Sequence, residues 1–296
     1  MDRLLIPLNS VAHNELMRSY RFRLAFSACF LSVLTLALAD DGAITWGGSP
    51  KMLKGHRTVR MVSEKIVLSV TPISKDKDGY TDADCTFVFK NEGPACAVRI
   101  GFPDRTRGAF EETFARGGSG DIPHPTFQAL LNFKSWVDGV PVKTTVELSS
   151  DPTVKGATYG GSWHVKVVNF KANQTLTIRD TYRQPQSGGI SSSGTQGLYL
   201  NQVQYIMSTG ASWKGSIGSA EVDVHLPGVI SAAPLASLTS DEPYLYKKWT
   251  DVKRGEVYYT GYGAPEVRDG VLVFRKANFK PTVASDINLY WPEVSE

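Results

Sequence analysis

The sequence predicts an all-β protein: antiparallel β-sandwich (Ig-like) architecture, two packed sandwich domains, little helix. Three observations carry this. Residues 82–104 alternate apolar and polar side chains on either side of Asn91-Glu92-Gly93-Pro94, and a period of two is the signature of a half-buried strand. The two-residue turn signals Asp138-Gly139 and Asp269-Gly270 each sit between apolar runs. No stretch repeats its apolar residues at the 3.6-residue period of a long amphipathic helix.

Taken in order, residues 1–39 read as a leader. Arg18, Arg21 and Arg23 precede an apolar run over 24–38, and Ala37-Leu38-Ala39 supplies small residues for cleavage after Ala39. The run is short for a membrane span. Met17 is an alternative start, because the basic region begins there. A signal peptide of this kind implies a secreted or periplasmic bacterial protein. Residues 40–57 carry Trp46-Gly47-Gly48-Ser49-Pro50 and read as an extended arm. A first sandwich domain is expected over 58–185, a Ser/Gly-rich linker over 186–197 and a second β-rich domain over 198–296. In the first domain, strands are expected at 61–71, in a central hairpin at 85–102, in a second hairpin around Asp138-Gly139, and in a third pairing 163–170 with 175–182. The connection 105–126 is long for a compact domain and reads as a flexible excursion or a binding loop. Later strands fit 198–207, 221–226, 256–260, 271–275 and 286–291.

Charge excludes one class of partner. The chain has 32 basic and 29 acidic residues. The leader holds four arginines (Arg3, Arg18, Arg21, Arg23) and two acids (Asp2, Glu15), which leaves 28 against 27. With no basic stripe either, nucleic acid is not an expected partner, and no membrane span is expected after leader cleavage. Cys85 and Cys96 are the cysteines beyond the leader. In a simple hairpin they lie four residues apart along the strands, on the order of 13 Å, whereas a disulfide needs Cα atoms within about 7 Å. Two buried thiols fit that geometry better than a bridge, unless a bulge or a crossover between sheets intervenes.

Chemical motifs are sparse. There is no phosphate loop, dinucleotide fingerprint or nucleophile elbow, and no cofactor is expected. His56, His124, His164 and His225 stand singly without metal-ligand spacing. His164 and His225 alternate with apolar neighbours and are expected at the surface. Glu111 and Glu112 are the loop carboxylates that an envelope polysaccharide hydrolase could use. Aromatics gather in the last third of the chain. Trp213, Trp249, Tyr259 and Tyr262, with His124 from the long loop, are candidate ligand-binding residues; the alternative is that the rings fill a core.

Several short motifs recur in an order that is itself informative: Trp46-Gly47-Gly48-Ser49-Pro50; Val59, Arg60, Met61, Ser63 and Glu64; Phe87, Phe89 and Asn91; Gly101-Phe102-Pro103; Val137-Asp138-Gly139; and Thr209 to Trp213. Together they make the chain resemble bacterial secreted proteins built on an extracytoplasmic β-sandwich domain of unknown function. The resemblance implies secretion and β structure and supplies no catalytic residue. The expected function is that of a secreted non-enzymatic protein binding a protein partner or glycan at the cell envelope. The alternatives are the hydrolase and a structural or assembly module.

Overall fold

Alternate residues along the long strands turn inward, and this alternation builds two sheets with a shared apolar interior. The structure is a computed structural model that describes residues 44–54, 58–72, 79–107, 130–148, 159–185, 187–191, 198–227, 235–237 and 257–292. The leader and most of the long connection lie outside the described residues. In chain order the strands are β1 (Ile44–Gly48), β2 (Lys51–Lys54), β3 (Val59–Thr71), β4 (Tyr80–Asn91), β5 (Cys96–Arg107), β6 (Leu131–Val137), β7 (Val140–Val142), β8 (Thr145–Leu148) and β9 (Tyr159–Phe170). They continue as β10 (Thr175–Pro185), β11 (Ser187–Ser191), β12 (Leu198–Ile206), β13 (Ile217–His225), β14 (Leu235–Ser237), β15 (Val257–Thr260), β16 (Glu266–Arg268), β17 (Val271–Phe279) and β18 (Ile287–Pro292).

One sheet has eight strands in the order β16-β17-β13-β3-β4-β10-β6-β7. The other has ten: β14-β15-β18-β12-β1-β5-β9-β8, with β11 on β12 and β2 on β5. The all-β sandwich is therefore as expected, but three pairs are parallel: β13 with β3, β1 with β12, and β14 with β15. No helix among the described residues is long and apolar enough to cross a membrane.

Two expected hairpins are crossovers between the sheets. β4 and β5 do not pair; β4 lies between β3 and β10, and β5 lies between β1 and β9. The same holds for β9 and β10. The reason is burial. Cys85, Phe87 and Phe89 on one side, and Val98, Ile100 and Phe102 on the other, are all fully buried. Placed on opposite sheets they pack face to face, with Phe87 and Phe102 ring centroids 6.5 Å apart. The two corner turns are tied together by Asn91. Its amide donates to the carbonyls of Pro94 (2.7 Å) and Lys171 (3.0 Å), and its side-chain oxygen accepts from Thr58 Oγ1 (2.8 Å). Cys85 and Cys96 are free, the first buried and the second half-buried. Burial pushes the Cys85 thiol well above its usual range.

Strands from beyond residue 197 complete both sheets: β13 lies beside β3 and β12 beside β1. Residues 40–296 cluster as one unit. Within the expected linker, 187–191 is a strand, because its backbone pairs with β12.

The expected arm is likewise part of the sheet. Gly47, Gly48, Ser49 and Pro50 are buried. Ser49 N–H donates to the Ile206 carbonyl (2.7 Å), and Trp213 Nε1 donates to the Pro50 carbonyl (2.7 Å). Met52 N–H donates to Ser212 Oγ (2.8 Å), and Thr209 Oγ1 donates to the Ser49 carbonyl. Two motifs of the sequence, Trp46–Pro50 and Thr209–Trp213, thus grip each other. No side chain fits at Gly48: a Cβ there would sit 2.4 Å from the Ile206 carbonyl oxygen. Gly48→Ala must displace backbone, and a loss of roughly 1–3 kcal/mol is expected from such overpacking, read as a lower urea midpoint at unchanged slope.

Ser49 also donates to Glu64 Oε2 (2.7 Å), while Glu64 Oε1 has no hydrogen-bond partner. Burial outweighs that single bond and pushes the Glu64 carboxyl up to about 7. The folded chain therefore holds this proton at pH values where the unfolded chain has released it. The stabilisation is full below the ordinary value of 4.5 and is lost as pH rises through about 7. The loss is on the order of 3 kcal/mol at 1.36 kcal/mol per pKa unit. Glu64→Gln keeps an acceptor for Ser49 and should flatten this part of the stability profile; an unchanged slope between the two pH values would refute the assignment.

Candidate functional site on the outer face of the eight-stranded sheet

The outward residues of β3, β4, β10 and β6 align in rows. Lys65, Thr86, Arg179 and Trp136 make one row, and Val67, Asp84, Thr181 and Lys134 the next. Ser69, Asp82 and Arg183 make the third. Opposite Arg183 the register to β6 slips, and Asn132 takes a left-handed backbone with φ 55°. A bulge of this kind bends the strand away from its partner. The small residues Ser69 and Thr181 leave room beside it. The result is a groove of about 420 Å³. Val67, Ser69 and Thr181 contribute short side chains to its lining, and Asp82, Asp84, Asn132, Lys134 and Arg183 its polar and charged groups.

Those charges are fixed in place. Arg179 grips Asp84 through two hydrogen bonds (2.8 and 2.6 Å), and Arg183 grips Asp82 in the same way (2.7 and 2.8 Å). Arg183 also lies over the Tyr80 ring at 3.7 Å and Arg179 over Trp136 at 5.2 Å. The carboxylates raise the pKa of both guanidinium groups. Exposed pairs of this type add little to stability, about 0–1 kcal/mol each. Their effect here is geometric: fork-to-fork pairing holds each carboxylate in one orientation with lone pairs left over. Lys134 has no ion-pair partner among the described residues.

Elsewhere the same face is closed by its own pairs. Lys65 bridges Glu221 and Asp223, Arg275 bridges Glu221 and Glu266, and Arg268 binds Glu266. In the groove, Lys134, Ser69 and Thr181 have no such pair among the described residues.

No protein-family model matches the chain, and a search of curated proteins finds no match. Solved structures do resemble it. A Legionella pneumophila protein described as a "putative nutrient binding protein" superposes with a TM-score of 0.59 at 17% identity, over 85% of this chain and 72% of that one. This likeness shows a shared fold. An M1 zinc metallopeptidase from Deinococcus radiodurans aligns with 80% of this chain and 43% of its own at 9% identity, with a TM-score of 0.32, which carries no argument.

Of the residues proposed from sequence, the structure describes Trp213, Tyr259 and Tyr262. Trp213 is 3% exposed, packs on Phe89 at 4.4 Å and clamps Pro50. Tyr259 and Tyr262 are half-buried, edge-on to Phe274, and the Tyr262 hydroxyl donates to the Phe274 carbonyl (3.3 Å). Trp249 and His124 lie outside the described residues. The groove residues were missed because each is an ordinary outward residue of its strand. The signal was present as acids at 82 and 84, two apart, and arginines at 179 and 183, four apart, each set on one face of its strand. Only the register reveals that they meet.

One face assignment differs: His164, expected at the surface, is buried, and so are its neighbours Trp163 and Val165. His164 and Lys166 point inward, whereas Val167 is 62% exposed. Inside, His164 Nε2 meets Asp104 Oδ2 at 3.0 Å and its ring stacks on Phe133 at 4.0 Å. Lys166 Nζ donates to both oxygens of Asp180 (2.6 and 2.8 Å) and to Ser135 Oγ (2.8 Å). Lys166 belongs to the ten-stranded sheet and its partners to the eight-stranded one, so this pair joins the two layers. Among the described residues no cluster of His, Cys, Asp and Glu is arranged to hold a metal. Lys166→Met strands the Asp180 charge and should cost about 3–5 kcal/mol, while the Lys166→Met, Asp180→Leu double variant should recover most of that. A double-mutant cycle in urea with no coupling would disprove the pairing.

Proposed function

We propose that the chain is a secreted or periplasmic, non-enzymatic binding protein that holds a glycan or a protein partner at the cell envelope. The observation that carries this reading is the groove: a concave, open surface whose acceptors are held rigid by arginines and whose Lys134, Ser69 and Thr181 keep free polar groups. Preorganised polar groups of this kind bind a ligand with little ordering cost. The fold shared with a protein described as nutrient binding supports the same reading. Three buried carboxylates weigh against hydrolysis: Glu64, Asp104 and Asp180 are enclosed and engaged by Ser49, His164 and Lys166. Glu111 and Glu112, the loop acids considered from sequence, lie outside the described residues.

The test is binding of the purified protein to arrays of bacterial envelope and plant glycans, read by tryptophan fluorescence. Trp136 stands in the row beside the groove and is the expected reporter. Ser69 is exposed, so Ser69→Trp should fill the groove without lowering the melting temperature. Saturable binding that weakens by about tenfold or more (~1.4 kcal/mol) in this variant is the expected result. Binding that survives Ser69→Trp unchanged would move the ligand off this face. N-terminal sequencing of the exported protein should begin at Asp40.

A further inference from the structure

We propose that the groove takes an acidic sugar: a pyranose, free or within a glycan, that carries one carboxylate. This deepens the reading of the groove as the ligand site and rests on it. The acid group would lie against Lys134 and the hydroxyls against Asp82 and Asp84.

Charge sets the first requirement. Asp82 and Asp84 are each neutralised by their own arginine, Arg183 and Arg179. Lys134 lines the same groove, is exposed, and has no ion-pair partner among the described residues. The site therefore keeps one uncompensated positive charge. A monoanion matches it. A polyphosphate would bring excess negative charge against two fixed carboxylates, and a neutral ligand would leave the ammonium unmatched.

Hydrogen bonding sets the second. An ionised carboxylate only accepts, so the ligand must bring donors to Asp82 and Asp84. Ser69 and Thr181 hydroxyls and the Asn132 amide can each donate or accept. This set suits several hydroxyl groups at fixed spacing. The volume of about 420 Å³ is more than a bare carboxylate ion needs. Ring chemistry sets the third. Two flanking aromatic faces are occupied, Tyr80 by Arg183 and Trp136 by Arg179, and Tyr182, which also lines the groove, is only 4% exposed. A flat heteroaromatic ligand finds no ring to stack on there, and a sugar is recognised by charge and hydrogen bonds with Val67 as its apolar floor.

Isothermal titration of the purified protein tests this, with D-galacturonate and D-glucuronate as probes, D-galactose and D-glucose as neutral matches, and acetate as the bare anion. A charge-assisted hydrogen bond is worth about tenfold in affinity, so uronates should bind about tenfold tighter than their neutral matches, and added salt should erode that margin. Lys134→Met should bring uronate affinity down to the neutral level and keep the wild-type melting temperature. Equal affinity for acidic and neutral sugars, a preference that survives Lys134→Met, or acetate binding as tightly as uronate would each overturn the acidic-sugar assignment. If neutral glycans bind and Ser69→Trp abolishes that binding, the groove stands as the ligand site and only the acid selectivity falls. Blank titrations together with blank arrays overturn both.

Discussion

The ten-stranded sheet depends on one short strand. Through β1 the half made of β5, β9 and β8 connects to the half made of β12, β18, β15 and β14. The contact between β1 and β12 spans two residue pairs, Gly47 with Tyr205 and Gly48 with Ile206. Such a brief parallel contact would be weak alone. It is reinforced where the strand ends, because Ser49 meets the Ile206 carbonyl, the Glu64 carboxyl and the Thr209 hydroxyl together. Glycine is needed for the approach. At Gly47 a Cβ would sit 2.5 Å from the Tyr182 hydroxyl of the opposite sheet, and at Gly48 it would meet backbone. A segment with the composition of a loose arm is thereby the join between two sheet halves.

The second constraint is the pair of corners where the chain changes sheet. A sandwich needs strands that leave one layer for the other, and β4–β5 and β9–β10 do so through four residues each. Corners this tight strand backbone groups, and Asn91 satisfies them on both turns at once. With the corners fixed, inward residues of neighbouring segments face each other across the interior. That interior is not uniformly apolar. Phenylalanines and aliphatic residues fill one part, while Lys166–Asp180 and His164–Asp104 hold another. A buried ion pair is a poor source of net stability, yet it penalises any arrangement that separates its partners. Here it fixes how the two layers face each other.

The groove follows from the same economy of pairing. Across most of the outer face of the eight-stranded sheet, acids and bases satisfy one another strand to strand. At Asp82 and Asp84 the arginines approach from β10, and the bulge at Asn132 draws β6 aside. Lys134, which the register sets opposite Thr181, is left without an acid. A fold-level irregularity thus becomes a chemical one: rigid acceptors, one unmatched cation and space between them.

Much of the fold was legible in the sequence because period-two patterning is a local property. It located the long strands, and the Asp-Gly turns at 138 and 269 adopt the left-handed backbone those dipeptides favour, with φ of 48° and 77° at the first and 49° and 77° at the second. The sandwich class followed from these. What a period of two does not contain is which face looks inward or which strand lies alongside. Val167 against His164 and Lys166 is the same alternation whichever side is buried, and Trp163 and Val165 are buried as well. Asp104, Asp180 and Ser135, distant in the chain, decide that the polar side goes in. Likewise β4 and β5 read as a hairpin, because a short turn between two alternating runs is compatible with pairing or with crossing. Trp213 read as a ring for a core or for a ligand, and in the structure it packs on Phe89 and donates to the Pro50 carbonyl. The sequence by itself determined strand positions, turns and the all-β class, since these depend on neighbours within a few residues. Only the tertiary structure decided sheet membership, the inward face of β9 and the groove, since each depends on groups that meet across long separations in the chain.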